Sequence, residues 1–197
     1  MLFRSVRDGC DGEGSCGLCA VLLDGKTVNS CLLLAAQVQG RDVVTVEHYR
    51  KDPLMRTIQR ALVDAACVQC GYCTPAVVLA VRELLSRTGQ PRDEEISDAL
   101  SGTLCRCTGY LQFKEAVHLA AVRIKDPDYV LPPEEEFKPE LRHVGKDREK
   151  VDADMLARGE KAFVEDRVGP DACWIELLGS PVARSEEHTS ELQSPNT

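Results

Sequence analysis

The stretch CGYC (residues 70–73), followed after thirty-one residues by CRC (residues 105–107), places four thiols in two close pairs. A second group of four cysteines lies upstream, in a glycine-rich stretch: Cys10, Cys16, Cys19 and Cys31. We call this upstream group the glycine-rich set. Cysteines at such short spacing are the usual ligands of zinc and iron–sulfur centres, so the chain is organised around metal-ligating thiols.

Composition narrows the class of protein. The 197 residues have room for one large or two small domains, and 43% apolar residues are enough for a buried core. No signal peptide is visible, and no apolar run approaches the roughly 20 residues of a membrane span. The net charge of -8 argues against a nucleic-acid partner. We therefore expect a soluble, cytoplasmic protein, whose reducing surroundings favour metal ligation over disulfides.

A β-hairpin is predicted directly after the glycine-rich loop of residues 10–19. Asp24-Gly25 separates two apolar runs and favours a type I′ turn, because both central positions of that turn need positive φ. The strands are expected at Ala20–Leu23 and Thr27–Leu34, with Cys31 on the return strand facing the loop. A third strand is expected in DVVTVEH, residues 42–48.

Four helices are predicted in the next part of the chain. Asp52-Pro53 opens the first, with Asp52 as N-cap, and Thr74-Pro75 repeats this signature before the second. The last three helices are expected from Ala76 to near Gly89, at Asp93–Leu100 and after Thr108-Gly109. Short connections between four helices favour a small bundle.

Each downstream pair of cysteines precedes a predicted helix, so we call Cys70, Cys73, Cys105 and Cys107 the helical set. Free N–H groups and the positive dipole end of a helix stabilise thiolates there. The spacing alone leaves three alternatives open for this set: a [2Fe-2S] cluster, a structural zinc, or buried free thiols or disulfides. Cys67 forms a further C-x2-C with Cys70, so the choice of ligands is ambiguous on spacing.

The spacing of the glycine-rich set distinguishes better between an iron–sulfur cluster and zinc. Its spacing, C-x5-C-x2-C with a distant fourth cysteine, matches the plant-type [2Fe-2S] pattern with one additional residue in the first gap. Its glycines let backbone N–H groups turn toward an anionic centre. This set therefore favours iron–sulfur chemistry over zinc. Cys173 stands alone and is expected to be structural.

Three motifs together resemble one family. They are CGLCAVLLDGKTVNSC (residues 16–31), QCGYCTP (residues 69–75) and LCRCTGY (residues 104–110). The family is the iron–sulfur component of the molybdenum hydroxylases, which include xanthine dehydrogenase, aldehyde oxidoreductase and the small subunit of aerobic carbon monoxide dehydrogenase. The resemblance extends over residues 9–124.

The resemblance implies two [2Fe-2S] clusters, the first held by the glycine-rich set and the second by the helical set. It leaves Cys67 idle and places Gln69 near a molybdopterin cofactor. Electrons are then expected to leave the molybdopterin centre, pass through the helical cluster to the plant-type cluster, and go on to FAD or an external acceptor. The implied partners are a molybdenum-binding catalytic module, fused or separate, and a flavin subunit. The chain itself is expected to carry no catalytic residue.

The predicted fold class is α+β, with a truncated plant-type ferredoxin (β-grasp) domain, a four-helix [2Fe-2S]-binding bundle and a linker. Residues after the linker resemble the start of the molybdenum-binding subunit, and both ends of the chain look non-native. The expected boundaries are 9–50 for the ferredoxin-type domain, 51–124 for the helical domain, 125–142 for the linker, 143–184 for the molybdenum-binding module, and 1–5 and 185–197 for the non-native ends. Two alternative functions remain: a zinc-stabilised interaction module without redox activity, and a free-standing ferredoxin-like carrier.

Overall fold

The computed structural model describes residues 5–132, 140, 143–144, 148–160, 168–173 and 175–177. Two compact units divide the chain, Met1–Lys161 and Ala162–Thr197. In the second unit the N–H of Ala172 donates to the carbonyl of Gly169 at 3.1 Å, which closes a turn. Cys173 follows this turn and is exposed, and its expected structural role stays a prediction. Most of the expected linker and of the two chain ends lies outside the described residues.

A three-stranded antiparallel sheet follows the glycine-rich loop, with the strand order β2-β1-β3. The strands are β1, Ala20–Leu23; β2, Lys26–Asn29; and β3, Val43–Val44. Asp24 and Gly25 connect β1 to β2 with φ angles of 48° and 82°, as the predicted hairpin turn requires. The central strand β1 is buried along its whole length, and it anchors the sheet to the rest of the unit.

Two parts of the predicted sheet are wrong. The return strand ends at Asn29, and Cys31 lies in a one-turn 3-10 helix, Ser30–Leu32, closed by the N–H of Leu33 donating to the carbonyl of Ser30. The third strand is only two residues long, because Val46–Tyr49 forms a second 3-10 helix. In both places local hydrogen bonds between nearby residues replace the bonds of a β-ladder. A short helix α1, Ala35–Val38, connects β2 to β3.

Helix α2, Pro53–Asp64, begins as predicted. The Asp52 carboxylate caps it by accepting the N–H groups of Leu54 at 2.8 Å and Met55 at 3.3 Å. The same carboxylate pairs with Arg82 at 2.8 Å, which ties the start of α2 to the next helix. That helix, α3, spans Thr74–Arg87, and its N-cap is Cys73 rather than the predicted Thr74. Thr74 already belongs to the first helical turn.

Helices α4, Asp93–Leu100, and α5, Leu111–Lys125, complete the predicted four. α2 packs against α3 and α5, α4 packs against α3 and α5, and α3 also covers β1. One continuous core results, which contains residues of the sheet as well as of the helices: Leu22, Val46, Ile58, Leu62, Val78, Ile96, Phe113 and Val117. The α+β fold class is thus confirmed. Among the described residues, no helix is long and apolar enough to cross a membrane.

A further helix, α6, Ala153–Ala157, belongs to the same unit and packs against α2 and α3. Leu156 of α6 lies on Gly71, where a Cβ atom would approach the Cβ of Leu156 to 2.8 Å. Glu149, just before α6, makes a two-pronged ion pair with Arg60 of α2, at 2.7 and 3.2 Å. The segment around α6 therefore lies directly beside the loop that carries Cys70.

Candidate metal centres

The helical set comes together from two loops. Cys70 and Cys73 belong to the loop that leads into α3, while Cys105 and Cys107 belong to the loop that leads into α5. The sulfurs of Cys70 and Cys107 lie 3.5 Å apart. The thiols of Cys73 and Cys105 are within hydrogen-bonding reach of each other. The four thiols thus form two neighbouring pairs, each with one member from each loop.

Hydrogen bonds from the surrounding residues reach these sulfurs. The N–H of Tyr72 donates to the sulfur of Cys70 at 3.4 Å, and the hydroxyl of Thr108 donates to the sulfur of Cys105 at 3.3 Å. Burial alone raises the pKa of Cys105, but bonds from Thr108 and from the Cys107 backbone outweigh it and leave that pKa below its ordinary value. Donors to sulfur favour the thiolate, which is the form that binds metal.

Tyr110 holds the second loop in place. Its hydroxyl accepts the N–H of Cys105 at 2.9 Å and donates to the carbonyl of Thr103 at 3.1 Å. Its own backbone has a positive φ of 71°, which turns the chain from the cysteine loop into α5. Sequence reasoning missed both Tyr110 and Thr108 as parts of the site, although each lies within five residues of a ligand candidate.

The glycine-rich set also forms two pairs. Cys10 and Cys16 interact through their thiols, and hydrogen bonds from the backbone and side chain of Cys16 lower the pKa of Cys10 to about 6. Cys31 interacts with the thiol of Cys19, which raises the pKa of Cys31, while the N–H of Gly14 opposes that shift. The additional residue in the first gap therefore does not keep Cys10 away from its partner. Cys31 faces the loop, as predicted, from its 3-10 turn.

Burial differs within each set. Cys16, Cys19 and Cys73 are buried, and Cys10 and Cys105 are half-buried, whereas Cys31, Cys70 and Cys107 are exposed. Each set consequently has a protected side and one edge at the surface. Among the described residues, no three or more His, Cys, Asp or Glu side chains are grouped to hold one metal ion. Hydrogen bonds between the thiols join them in twos.

The loops of the two sets touch each other directly. The N–H of Leu104, next to Cys105, donates to the carbonyl of Cys16 at 2.8 Å. Beside this bond, a Cβ atom on Gly17 would lie only 1.8 Å from the carbonyl oxygen of Gly102. The φ of Gly17 is 69°, so both the conformation and the close approach require glycine. A second contact joins Tyr72 to the carbonyl of Asp8, at 2.6 Å.

Gln69 is exposed beside the helical set. Its side-chain nitrogen donates to the carbonyl of Cys107 at 3.3 Å, so it connects the two loops of the set. It also lines an open cavity of about 670 Å³, whose other lining residues include the charged side chains of Arg60, Asp64, Arg123, Arg148, Glu149 and Lys150. The side chain of Gln69 is therefore accessible to a ligand or a neighbouring surface.

Cys67 is buried, as Cys73 of the helical set is, and burial raises the pKa of both thiols, so the two differ in their hydrogen bonds rather than in burial. The thiol of Cys67 donates to the carbonyl of Ala65 at 3.7 Å. Burial raises the pKa of Cys67 to about 12, which keeps it a neutral thiol. This environment is that of a packed side chain.

Comparison with known proteins identifies the family of this chain. The family described as "[2Fe-2S] binding domain" matches residues 45–118. The nicotinate dehydrogenase small FeS subunit of Eubacterium barkeri is 43% identical over 119 residues, which are 60% of this chain and 75% of that protein. The fold and the match define a [2Fe-2S]-binding protein. The chain belongs to the family of small iron–sulfur subunits of xanthine and nicotinate dehydrogenases.

Longer proteins resemble the chain over more of its length. "Probable hypoxanthine oxidase XdhD" of Escherichia coli K12 is 38% identical over 185 residues, which are 94% of this chain; the chain spans only 19% of that relative. The aldehyde oxidoreductase of Desulfovibrio desulfuricans superposes with a TM-score of 0.69 at 28% identity, over 86% of this chain and 19% of that one. A match over less of this chain is quinoline 2-oxidoreductase from Pseudomonas putida 86, which superposes with a TM-score of 0.56 at 32% identity, over 61% of this chain and 75% of that one.

Proposed function

We propose that the chain carries electrons through two [2Fe-2S] clusters, as the iron–sulfur part of a molybdenum hydroxylase of the xanthine dehydrogenase and aldehyde oxidoreductase type. The observation that carries this proposal is the pairwise meeting of the thiols in both sets. A [2Fe-2S] cluster needs two thiolates on each of its two irons. A single structural zinc needs all four thiolates around one point.

The separation of the thiols fits such a cluster. Two thiolates on one tetrahedral metal, each at about 2.3 Å, lie about 3.8 Å apart. The sulfurs of Cys70 and Cys107 are 3.5 Å apart, which is close to that value. From the hydrogen bonds that join the thiols, we propose Cys10, Cys16, Cys19 and Cys31 as ligands of the first cluster. We propose Cys70, Cys73, Cys105 and Cys107 as ligands of the second, with Cys67, whose thiol donates to the carbonyl of Ala65, left out.

The residues of the chain would bind and tune the clusters, which supply one-electron redox chemistry when bound. Backbone N–H groups of Tyr72 and Gly14 and the hydroxyl of Thr108 donate to cysteine sulfurs. Donation to the sulfurs stabilises the more negative, reduced form and so raises the reduction potential. The beginnings of α3 and α5 add the positive end of a helix dipole to the second site.

The contact between Leu104 and Cys16 supports direct transfer between the two sites. One hydrogen bond of 2.8 Å connects the residue before Cys105 to Cys16 itself. In the proposed direction, electrons leave a molybdopterin centre on the catalytic module, enter the helical set and pass to the glycine-rich set. From there they go to FAD on a partner or to an external acceptor. Gln69, exposed and bonded to Cys107, is proposed as a contact of the molybdopterin cofactor.

The end of the chain supports a fused arrangement. XdhD of Escherichia coli matches 94% of this chain, and this chain is only 19% of its length, so that relative has much more polypeptide than the residues matched here. α6 packs beside the loop of Cys70, where a following module would meet the second cluster. We accordingly propose a ferredoxin-type domain at 9–50, a helical bundle at 51–124, a linker at 125–142 and the start of a molybdenum-binding module at 143–184. We also propose a cytoplasmic location, because a reducing compartment favours metal ligation by cysteines over disulfides.

Anaerobic purification followed by metal and sulfide analysis tests the proposal. We expect a coloured protein with two [2Fe-2S] clusters, that is, iron and acid-labile sulfide in equal amounts, and a visible spectrum that bleaches on reduction. A colourless, zinc-loaded product would favour the interaction module and contradict electron transfer. A single cluster would limit the proposal to one of the two cysteine sets.

A further inference from the structure

Arg7 is a buried cation at the junction of the two metal sites. Only 5% of the residue is exposed. Its N–H donates to the carbonyl of Leu18 at 3.1 Å, within the loop of the glycine-rich set. Its guanidinium carbon lies 5.1 Å from the centre of the Tyr72 ring. In the sequence, Tyr72 stands between Cys70 and Cys73 of the helical set. The backbone of Arg7 therefore belongs to one site, while its charge points into the other.

The groups that face this charge are mostly those of the helical set. Burial lowers the pKa of the Arg7 guanidinium, whereas attraction to Tyr72, Cys70, Glu47 and Cys73 opposes that shift. Glu47 is itself fixed, because its carboxylate accepts the N–H and the hydroxyl of Ser5 at 3.1 and 2.6 Å.

A guanidinium is costly to bury unless negative charge compensates it. Glu47 provides part of that charge, and thiolates around a metal cluster provide more. The ring of Tyr72 keeps the guanidinium in position through a cation–π contact, and the hydroxyl of Tyr72 bonds to Asp8 next to Arg7. The arrangement thus holds a fixed positive charge beside the helical set.

We propose that Arg7 is the internal counter-cation of the cluster held by the helical set and selectively raises its reduction potential. The inference rests on the proposed function. Reduction adds one electron to the cluster, taken from the reductant, and no bond is formed or broken. The positive charge of Arg7 stabilises the added negative charge, whereas the carboxylate of Glu47 opposes it. In this proposal Arg7 ligates no metal and acts on the reduction potential through its charge alone.

A redox titration of the full chain, with dithionite as reductant and EPR as readout, tests this role. In Arg7→Met, the equilibrium constant for reducing the helical-set cluster should fall about tenfold, which corresponds to about 59 mV for one electron. Arg7→Lys retains the charge and should retain most of the potential. The other cluster should shift clearly less in both variants. Loss of one signal in Cys105→Ser identifies which signal belongs to the helical set.

Two further variants complete the test. Arg87→Met removes an exposed arginine at the far end of α3, about 20 Å along the helix from Cys73, and should move neither potential. Glu47→Gln removes the opposing carboxylate and should move the helical-set potential upward. If Arg7→Met fails to assemble a cluster, Arg7→Gln removes the same charge with a polar side chain and should give the same fall in potential.

Some results would overturn the inference. They are an unchanged helical-set potential in Arg7→Met, an equal shift of both clusters, or an unchanged or lowered potential in Glu47→Gln. Failure of the proposed function has a different signature, because the wild-type chain would then lack two reducible clusters altogether. The two failures are therefore distinguishable in one set of samples.

Discussion

Gly17→Ala should separate the two metal sites, because Gly17 is where their loops touch. A Cβ atom there would lie 1.8 Å from the carbonyl oxygen of Gly102 and 2.8 Å from its carbon, and both are backbone atoms. Alanine at a φ of 69° costs about 1–2 kcal/mol. Overpacking adds about 1–3 kcal/mol, and loss of the bond between Leu104 and Cys16 about 1 kcal/mol. The free energy of unfolding should therefore fall by about 3–6 kcal/mol.

Gly12→Ala is the matched control for this variant. Gly12 lies in the same loop with a φ of 81°, but a Cβ atom there would meet nothing within 4 Å. Only the conformational cost remains, about 1–2 kcal/mol. For a chain of this size, each kcal/mol lowers Tm by about 2–4 °C, so thermal unfolding followed by circular dichroism separates the two variants.

A second readout tests the contact itself. When both clusters are reduced, the spin–spin interaction between them depends on the distance between the sites, and we expect it to weaken in Gly17→Ala and to persist in Gly12→Ala. Equal losses of stability in the two variants, with an unchanged interaction, would refute the reasoning, since the loops would then not depend on the missing Cβ atom.

Two further variants test the framework around the sites. Leu156→Ala should lower the free energy of unfolding by about 2–5 kcal/mol, because it removes the contact of α6 with Gly71. Val151 is fully exposed, so Val151→Ala should change the free energy of unfolding by less than about 0.5 kcal/mol. Similar effects of the two variants would contradict the packing of α6. Asp52→Ala should cost about 1 kcal/mol or more in urea unfolding, because α2 loses its cap and Arg82 its partner. Burial raises the pKa of Asp52, but Arg82 and the capped N–H groups hold it below the ordinary value. The stabilisation from ionised Asp52 is therefore complete above about pH 3.9 and is lost as the pH falls through the lower folded-state pKa. If Asp52→Ala kept the wild-type dependence of stability on pH, that dependence would not come from Asp52.

Local patterns in the sequence predicted the elements that depend on neighbouring residues. Asp24-Gly25 determines the hairpin turn, Asp52-Pro53 the start of α2, and the spacing of the cysteines indicates the two sets of thiols. The predictions for the turn and for the helix start succeeded because each of them depends on backbone conformation or capping within a few residues. The two ligand sets stay a prediction. The length of the return strand was not predictable in this way. The chain leaves the sheet at Ser30, and the 3-10 turn that follows places Cys31 facing the glycine-rich loop.

Contacts between distant residues could not be predicted from one sequence. Nothing in the spacing pairs Leu104 with Cys16, Arg7 with Tyr72, or α6 with Gly71, because each contact depends on how the loops and helices pack. Thr74-Pro75 imitates a capping signature, yet Cys73 occupies the cap position, where its thiol belongs to the helical set. Two of the wrong predictions, the end of the return strand and the cap of α3, lie at the proposed metal sites, where function can override local preference.

EPR of the dithionite-reduced, anaerobically purified chain tests the ligand assignment most directly. The wild-type protein should give two distinguishable [2Fe-2S] signals. Cys105→Ser should lose one of them and keep the other, whereas Cys67→Ser, its matched control three residues before Cys70, should keep both. Loss of a signal in Cys67→Ser, or retention of both in Cys105→Ser, would contradict the assignment of the helical set as the second cluster site.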